Sequence, residues 1–107
     1  MLAFIADDDP ALRRLMSRIC VQLGWSVMPF EGGEEMVEAA RQFKPELVIC
    51  EMDLPGAISG LDVCFAIHVL LPQSKIILMT GDAIRAPLSS EWGFAPLLRK
   101  PFRIEQA

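Results

Sequence analysis

The stretch LAFIADDDP, residues 2–10, changes abruptly from five apolar residues to three aspartates and a proline. The run Leu2–Ala6 is too short for a helix and has no polar alternation, so it predicts a strand buried on both faces. Asp9 followed by Pro10 is typical of a helix start, because an aspartate accepts backbone N–H bonds at the N-cap and a proline already has a helical φ. The stretch therefore predicts a buried strand, an acidic turn and a helix.

The same change recurs along the chain and alternates with helical spacing. Further short apolar runs lie at 25–28, 47–50, 76–79 and 97–98. Apolar residues at helical spacing lie at 12–23, 36–43 and 60–71, and a fourth helix is expected within 82–93, where Pro87 interrupts the pattern. Strands that alternate with helices predict βαβ units. The predicted fold class is therefore α/β, one doubly wound parallel sheet of five strands in the flavodoxin-like order 2-1-3-4-5, in a single domain over residues 1–107.

Composition and charge exclude several classes of protein. With 52% apolar and 22% charged residues, the 107-residue chain can form one core and does not match a disordered chain. Ten basic against fourteen acidic residues give a net charge of −4, which argues against a nucleic-acid partner. The basic residues Arg13, Arg14 and Arg18 have helical spacing and are interpreted as part of a solvated helix face.

Membrane segments and disulfides are not expected. The apolar runs are far shorter than the ~18 residues of a membrane span. Residues 1–6 have neither the basic flank nor the cleavage site of a signal peptide, so a cytoplasmic protein without membrane contact is expected. Cys20, Cys50 and Cys64 lack metal-binding spacing and lie in apolar segments, which favours buried and reduced side chains.

Polar residues follow four of the five predicted strands, directly at their carboxyl ends. In a doubly wound sheet the ligand binds beyond these ends. The residues are Asp7, Asp8 and Asp9 after the first strand, Glu51 and Asp53 after the third, Thr80 after the fourth and Lys100 after the fifth. Carboxylates from two strands repel one another unless a cation lies between them, and hard oxygen ligands suit Mg²⁺. With a lysine and a hydroxyl nearby, the pattern indicates phosphoryl chemistry or its imitation.

Four motifs together resemble the receiver domain of bacterial two-component response regulators. They are DDDP at 7–10, EMDLPG at 51–56, LMTG at 78–81 and RKPF at 99–102, in this order over nearly the whole chain. The resemblance implies a signalling module of a phosphorelay rather than an enzyme. It also implies a histidine kinase or another signalling protein as the partner.

The resemblance implies a Mg²⁺ site at the acidic residues. Asp7 and Asp8 would hold the ion, with Asp8 as the direct ligand and the backbone carbonyl of Asp53 as a further contact. Glu51 is included in the predicted metal site, because its carboxylate would crowd negative charge beside the two aspartates.

The resemblance also assigns the phosphoryl-binding residues. Thr80 and Lys100 would bind the phosphoryl oxygens, and the peptide between Lys100 and Pro101 would be cis. An aromatic side chain usually stands three positions before this lysine and couples to the hydroxyl residue, and here that position is Leu97. The usual aromatic switch is therefore missing from the sequence.

Glu51 departs from the family pattern at the phosphoacceptor. In the family the acceptor is an aspartate four residues before the proline of the loop, and counting back from Pro55 gives Glu51, whereas Asp53 is two residues before it. Glutamate places its carboxylate about 1.5 Å farther out. Because a misplacement of ~1 Å can reduce a rate ~100-fold, the substitution predicts weakened or lost phosphorylation. The longer acid is also expected to imitate part of the phosphorylated state.

Four functions are weighed on these residues. The first is a receiver-like module that acts through protein contacts, and the second is a conventional phosphoacceptor that receives phosphate from a histidine kinase. The third is a metal-dependent phosphate-ester hydrolase, which would need an aspartate nucleophile where Glu51 stands. The fourth, a flavin module on the same fold, is disfavoured because three acids after the first strand would repel a phosphate.

The sequence ends at Ala107, before the fifth helix that the family has after its last strand. A missing or truncated fifth helix would leave one flank of the sheet uncovered. Exposed apolar surface favours association, so a homodimer through this face, or a longer parent protein, is expected.

Overall fold

A computed structural model describes residues 1–52, 54–56, 58–80 and 97–99, with the backbone alone described for Thr80 and 97–99. The elements are β1 (Leu2–Ala6), α1 (Pro10–Gln22), β2 (Ser26–Phe30), α2 (Gly33–Phe43), β3 (Leu47–Glu51), α3 (Gly60–Leu70), β4 (Lys75–Thr80) and β5 (Leu97–Arg99). The predicted alternation of strands and helices is confirmed over this part of the chain. The helix expected within 82–93 lies outside the described residues. No helix among the described residues is long and apolar enough to cross a membrane.

The strands form one parallel sheet. Its order is β2-β1-β3-β4, as predicted, and the three-residue strand β5 pairs in parallel with β4. Ala6 lies opposite Cys50 in the pairing of β1 with β3, and Glu51 lies opposite Met79 in the pairing of β3 with β4. The carboxyl ends of these three strands therefore lie side by side at one edge of the sheet. The expected position of a fifth helix, after β5, falls outside the described residues.

The first helix begins as the sequence predicts. The Asp9 side chain accepts hydrogen bonds from the backbone N–H groups of Ala11 and Leu12, at 3.0 and 3.4 Å. The helix ends at Gln22, and Gly24 has a φ of +95°, a left-handed conformation that a side chain would make unfavourable. The acidic turn between Ala6 and Pro10 is thus held between a strand and a capped helix.

The strand at the edge of the sheet differs in its bounds from the prediction. The sequence placed it at 25–28, whereas β2 spans Ser26–Phe30 and includes Pro29. A proline lacks the N–H that a central strand needs, but β2 pairs only with β1, so its other side makes no ladder within the described sheet. The strand therefore continues through the proline to Phe30.

Two apolar cores cover the faces of the sheet. The core beneath α2 and α3 contains Phe4, Ala6, Met36, Ala40, Val48, Cys50, Leu54, Val63, Cys64, Ile67, Ile76 and Leu78. The core beneath α1 contains Ile5, Met16, Cys20 and Met79. Full burial of one large apolar side chain stabilises the fold by about 1.5–3 kcal/mol. The prediction that the three cysteines are buried and free is confirmed.

Gly60, the first residue of α3, packs directly against the end of β3. Its N–H donates to the carbonyl oxygen of Met52 at 2.8 Å. A Cβ at this position would overlap the carbonyl oxygen of Glu51 and lie 2.9 Å from the Cα of Met52. The absent side chain lets the helix start touch the backbone that carries Glu51.

We expect Gly60→Ala to lower the free energy of unfolding by about 1–3 kcal/mol or more, because backbone atoms cannot move aside for the added methyl group. Urea-induced unfolding measures this loss. The matched control is Gly32→Ala, since a Cβ at Gly32 meets no atom within 4 Å. Replacing glycine by alanine at this N-cap is expected to reduce stability by less than about 1 kcal/mol. Equal losses in the two variants would contradict the close contact at Gly60.

Candidate functional site

Three carboxylates meet at the carboxyl ends of β1 and β3. Asp7, Asp8 and Glu51 each place one carboxylate oxygen within 4.8 Å of the other two. The strand register explains this arrangement, because Ala6 lies opposite Cys50 and the next residues along the two strands are Asp7 and Glu51. We call these three side chains the acidic cluster. Of the residues predicted for the metal site, the structure brings these three together.

Asp7 is the buried member of the acidic cluster and is held at three points. Its N–H donates to the carbonyl oxygen of Phe30 at 3.2 Å, and its Oδ1 accepts from the N–H of Asp9 at 2.9 Å. Its carbonyl oxygen accepts from Nη1 of Arg13 at 2.7 Å. The bond from the Asp9 N–H reaches the carboxylate itself, whose complete burial would be strongly unfavourable without a partner. These contacts fix the base of the site.

The three carboxylates of the acidic cluster differ in their exposure to solvent. Asp8 is exposed, while Glu51 is half-buried and its Oε2 atom is inaccessible to solvent. Asp9 points its carboxylate at the start of α1 instead, which confirms its interpretation as a helix cap. An ion arriving from solvent would therefore meet Asp8 before the two deeper carboxylates.

Arg13 corrects one interpretation of the sequence. The arginines of α1 were expected to share a solvated helix face, and Arg14 and Arg18 are indeed exposed. The side chain of Arg13, however, is only 16% exposed, and its Nη2 lies 3.7 Å from Oε1 of Glu31. A signal was available in the sequence, because side chains on a helix point back towards its N-terminus and Arg13 lies in the first turn after Pro10.

Several residues of the predicted site lie wholly or partly outside the described part of the structure. Asp53 and Lys100 lie outside the described residues, as does Pro101. The backbone of Thr80 ends β4, and Leu97 begins β5, but the side chains of both residues also lie outside the described part of the structure. The phosphoryl-binding roles of Thr80 and Lys100 stay predictions.

Cys50 lies one residue before Glu51, and the charges of Glu51 and Asp7 act on its thiol. Its thiol pKa is well above the ordinary value, first because of a hydrogen bond with Cys64 and burial, and then because of the charges of Cys64, Glu51 and Asp7. Negative charges and burial both disfavour the thiolate. The core directly behind the acidic cluster is therefore neutral and apolar.

We expect iodoacetamide to modify Cys50 at pH 8 much more slowly in the folded chain than in urea, because burial and the raised pKa of the thiol both reduce the accessible thiolate. Mass spectrometry of peptides from timed samples gives the rate. Because the pKa of Cys50 is higher in the folded chain than in the unfolded chain, its protonated thiol contributes to the free energy of unfolding at neutral pH. This contribution is lost as the pH rises through the pKa of the folded state. Equal rates in the folded and unfolded chains would contradict the burial of this thiol.

The sequence profile of the response regulator receiver domain matches residues 3–107. The chain belongs to the response regulator receiver domain family. Receiver domains are signalling modules of response regulators, not enzymes, so the prediction of function class is confirmed. The flavodoxin-like arrangement of the sheet agrees with this membership.

Two regulators are similar in sequence to this receiver domain. The DNA-binding transcriptional regulator NtrC of Klebsiella pneumoniae is 31% identical over 108 residues, which cover 99% of this chain and 23% of that protein. The probable transcriptional regulatory protein TcrX of Mycobacterium tuberculosis is 30% identical over 104 residues, which cover 95% of this chain and 44% of that protein. The receiver domain thus spans less than half of each regulator.

A solved structure shares the fold of this receiver domain closely. The response regulator protein TrrA of Thermotoga maritima, in complex with Mg²⁺–BeF, superposes with a TM-score of 0.86. It is 28% identical in sequence, and the match covers 98% of this chain and 90% of that chain. The arrangement of strands that forms the acidic cluster therefore belongs to a fold shared with known receiver domains.

Proposed function

We propose that this chain is a two-component receiver module in which Glu51 stands at the phosphoacceptor position, so that phosphorylation is weakened or lost. Its output is contact with another protein. The observation that supports this most directly is the position of Glu51 at the end of β3, with a carboxylate oxygen within 4.8 Å of those of Asp7 and Asp8. Glu51 stands four residues before Pro55, which matches the family spacing of acceptor and proline.

The length of the glutamate side chain supports weakened phosphorylation. Its backbone cannot retreat to compensate for the extra methylene, because Gly60 packs against the carbonyl of Glu51. The carboxylate therefore extends about 1.5 Å farther into the site than an aspartate would. An acceptor displaced by this amount attacks a phosphoryl donor inefficiently. The same extension would bring the carboxylate towards the phosphoryl site that Thr80 and Lys100 are proposed to form.

Mg²⁺ is the proposed cofactor, held by Asp7, Asp8, Glu51 and the backbone carbonyl of Asp53. The three described carboxylates fit it, since they offer hard oxygen donors from one exposed, one half-buried and one buried side chain. Bound there, the ion would offset the repulsion within the acidic cluster and neutralise charge on a phosphoryl group. The similar TrrA structure is a complex with Mg²⁺–BeF, which supports this choice of metal.

A histidine kinase or another signalling protein is the proposed partner, and a nucleic acid is not, because the chain has a net charge of −4. We also propose that residues 1–107 form one domain with a five-stranded sheet, which the pairing of β5 with β4 supports. The homodimer and the cytoplasmic location stay predictions from the sequence.

With acetyl phosphate and Mg²⁺, we expect the native chain to gain little or no phosphoryl mass, whereas Glu51→Asp gains one phosphoryl group per chain. The shorter acid returns the carboxylate to the depth that the family uses. Intact-mass spectrometry at successive times measures the labelling. Glu38→Asp is the matched control, because Glu38 is exposed on α2 and should leave labelling unchanged.

The same experiment separates the two receiver functions. Full labelling of the native chain, lost in Glu51→Gln, would contradict weakened phosphorylation and favour the conventional phosphoacceptor. Absence of labelling in both the native chain and Glu51→Asp would show that more than the acceptor has been lost.

Removing one carboxylate should weaken metal binding. We expect Asp8→Asn to raise the Kd for Mg²⁺ by about tenfold or more, because the ion loses a charged ligand from the open side of the acidic cluster. Isothermal titration calorimetry with MgCl₂ measures the affinity. Asp62→Asn is the matched control, since Asp62 lies on α3 and its carboxylate accepts a hydrogen bond from the Ser59 hydroxyl. Equal affinity in the native chain and Asp8→Asn would contradict the proposed site.

A further inference from the structure

Arg13 is a largely buried cation that contacts the acidic site through a backbone atom. Its Nη1 donates to the carbonyl oxygen of Asp7 at 2.7 Å, and its Nη2 lies 3.7 Å from Oε1 of Glu31. One guanidinium group thus connects the start of α1, the end of β1 and the loop that precedes α2. The side chain of Glu31 is 79% exposed, so the contact with Asp7 is the better shielded of the two.

The carbonyl of Asp7 belongs to the peptide unit that leads directly into Asp8. Asp7 follows Ala6, the last residue of β1. Because a peptide unit is planar, the orientation of the Asp7 carbonyl also fixes the N–H of Asp8 and the direction in which the Asp8 backbone continues. Asp8 is exposed, and packing against the core does not orient its side chain. The guanidinium therefore acts on the peptide that precedes the open carboxylate of the acidic cluster.

We propose that Arg13 is a positioning residue of the metal site: it fixes the peptide between Asp7 and Asp8 and so holds the Asp8 carboxylate within reach of those of Asp7 and Glu51. This inference rests on the Mg²⁺ site proposed above. The exposed carboxylate of Glu31, 3.7 Å from Nη2 of Arg13, adds little to this orientation.

Positioning and simple charge predict opposite effects on metal affinity. By charge alone, removal of a cation beside three carboxylates would strengthen the binding of Mg²⁺. Removal of a group that orients metal ligands typically weakens binding 10–100-fold. The sign of the change in Arg13 variants therefore separates the two roles.

The experiment compares Arg13→Gln, Arg13→Lys and Arg14→Gln in the full chain by calorimetric titration with MgCl₂. We expect Arg13→Gln to raise the Kd for Mg²⁺ by about tenfold or more, and Arg13→Lys to recover part of the affinity, since lysine keeps a donor but lacks the rigid fork. Arg14→Gln removes the same charge from an exposed neighbour and should leave the affinity unchanged or slightly higher.

A second measurement needs no metal. The N–H of Asp9 donates to the carboxylate of Asp7, so its hydrogen exchange, followed by NMR in metal-free protein, reports the order of the acidic turn. We expect faster exchange in Arg13→Gln and native-like exchange in Arg14→Gln. If Arg13→Gln fails to fold, as judged by circular dichroism, Arg13→Lys is compared with the native chain instead, and a smaller loss of Mg²⁺ affinity and a smaller rise in exchange are expected; no change in either would overturn the role.

Unchanged exchange of the Asp9 amide, or a Mg²⁺ affinity in Arg13→Gln equal to or above that of the native chain, would overturn the positioning role. If the native chain binds no Mg²⁺, the proposed metal site is wrong, and the amide exchange alone decides whether Arg13 orders the turn. The two failures are thus distinguished within one set of samples.

Discussion

The parallel pairing of β1 with β3 places the last residues of two buried strands side by side, and the site depends on this register. Because Ala6 lies opposite Cys50 and the two strands are parallel, the next residues, Asp7 and Glu51, lie beside each other at the carboxyl end of the sheet. A shift by one residue would turn every side chain of the strand to the other face and separate the carboxylates. The apolar cores on both faces prevent such a shift and thereby stabilise three neighbouring acids whose mutual repulsion opposes the arrangement.

Two contacts among the described residues hold the backbone at Glu51 and Met52. The helix start at Gly60 contacts the backbone of Glu51, and the N–H of the next residue, Met52, donates to the carbonyl oxygen of Met79 at 2.8 Å. Behind the carboxylate, Cys50 is buried and its raised thiol pKa keeps it neutral. The carboxylate of Glu51 lies beside those of Asp7 and Asp8 at the carboxyl end of the sheet.

Much of the fold could be predicted from the chain because its signals are local. The apolar run before the acidic turn, the Asp9 cap and the helical spacing of α1 each depend on neighbouring residues, and the structure agrees with them. The extent of β2 was harder to predict, since Pro29 argues against a strand unless the strand lies at an edge, and the edge position is a property of the whole sheet. The burial of Arg13 was hard to predict for a similar reason. Its sequence spacing matches a solvated helix face, whereas its partners, Asp7 and Glu31, come from the turn after β1 and the loop before α2.

The amino-acid sequence alone determined which residues could meet at the carboxyl ends of the strands, and it is the sole basis for the prediction that Glu51 departs from the receiver pattern. Among the described residues, the tertiary structure brings Asp7, Asp8 and Glu51 together and decides how deeply each is buried. It also decided that Gly60 packs against the carbonyl of Glu51 and that Arg13 donates a hydrogen bond to the carbonyl of Asp7. Residue types and short-range spacing can be read directly from the sequence. The contact of a helix start with a strand end, or of a guanidinium with a carbonyl from another element, forms only when the sheet and helices pack together.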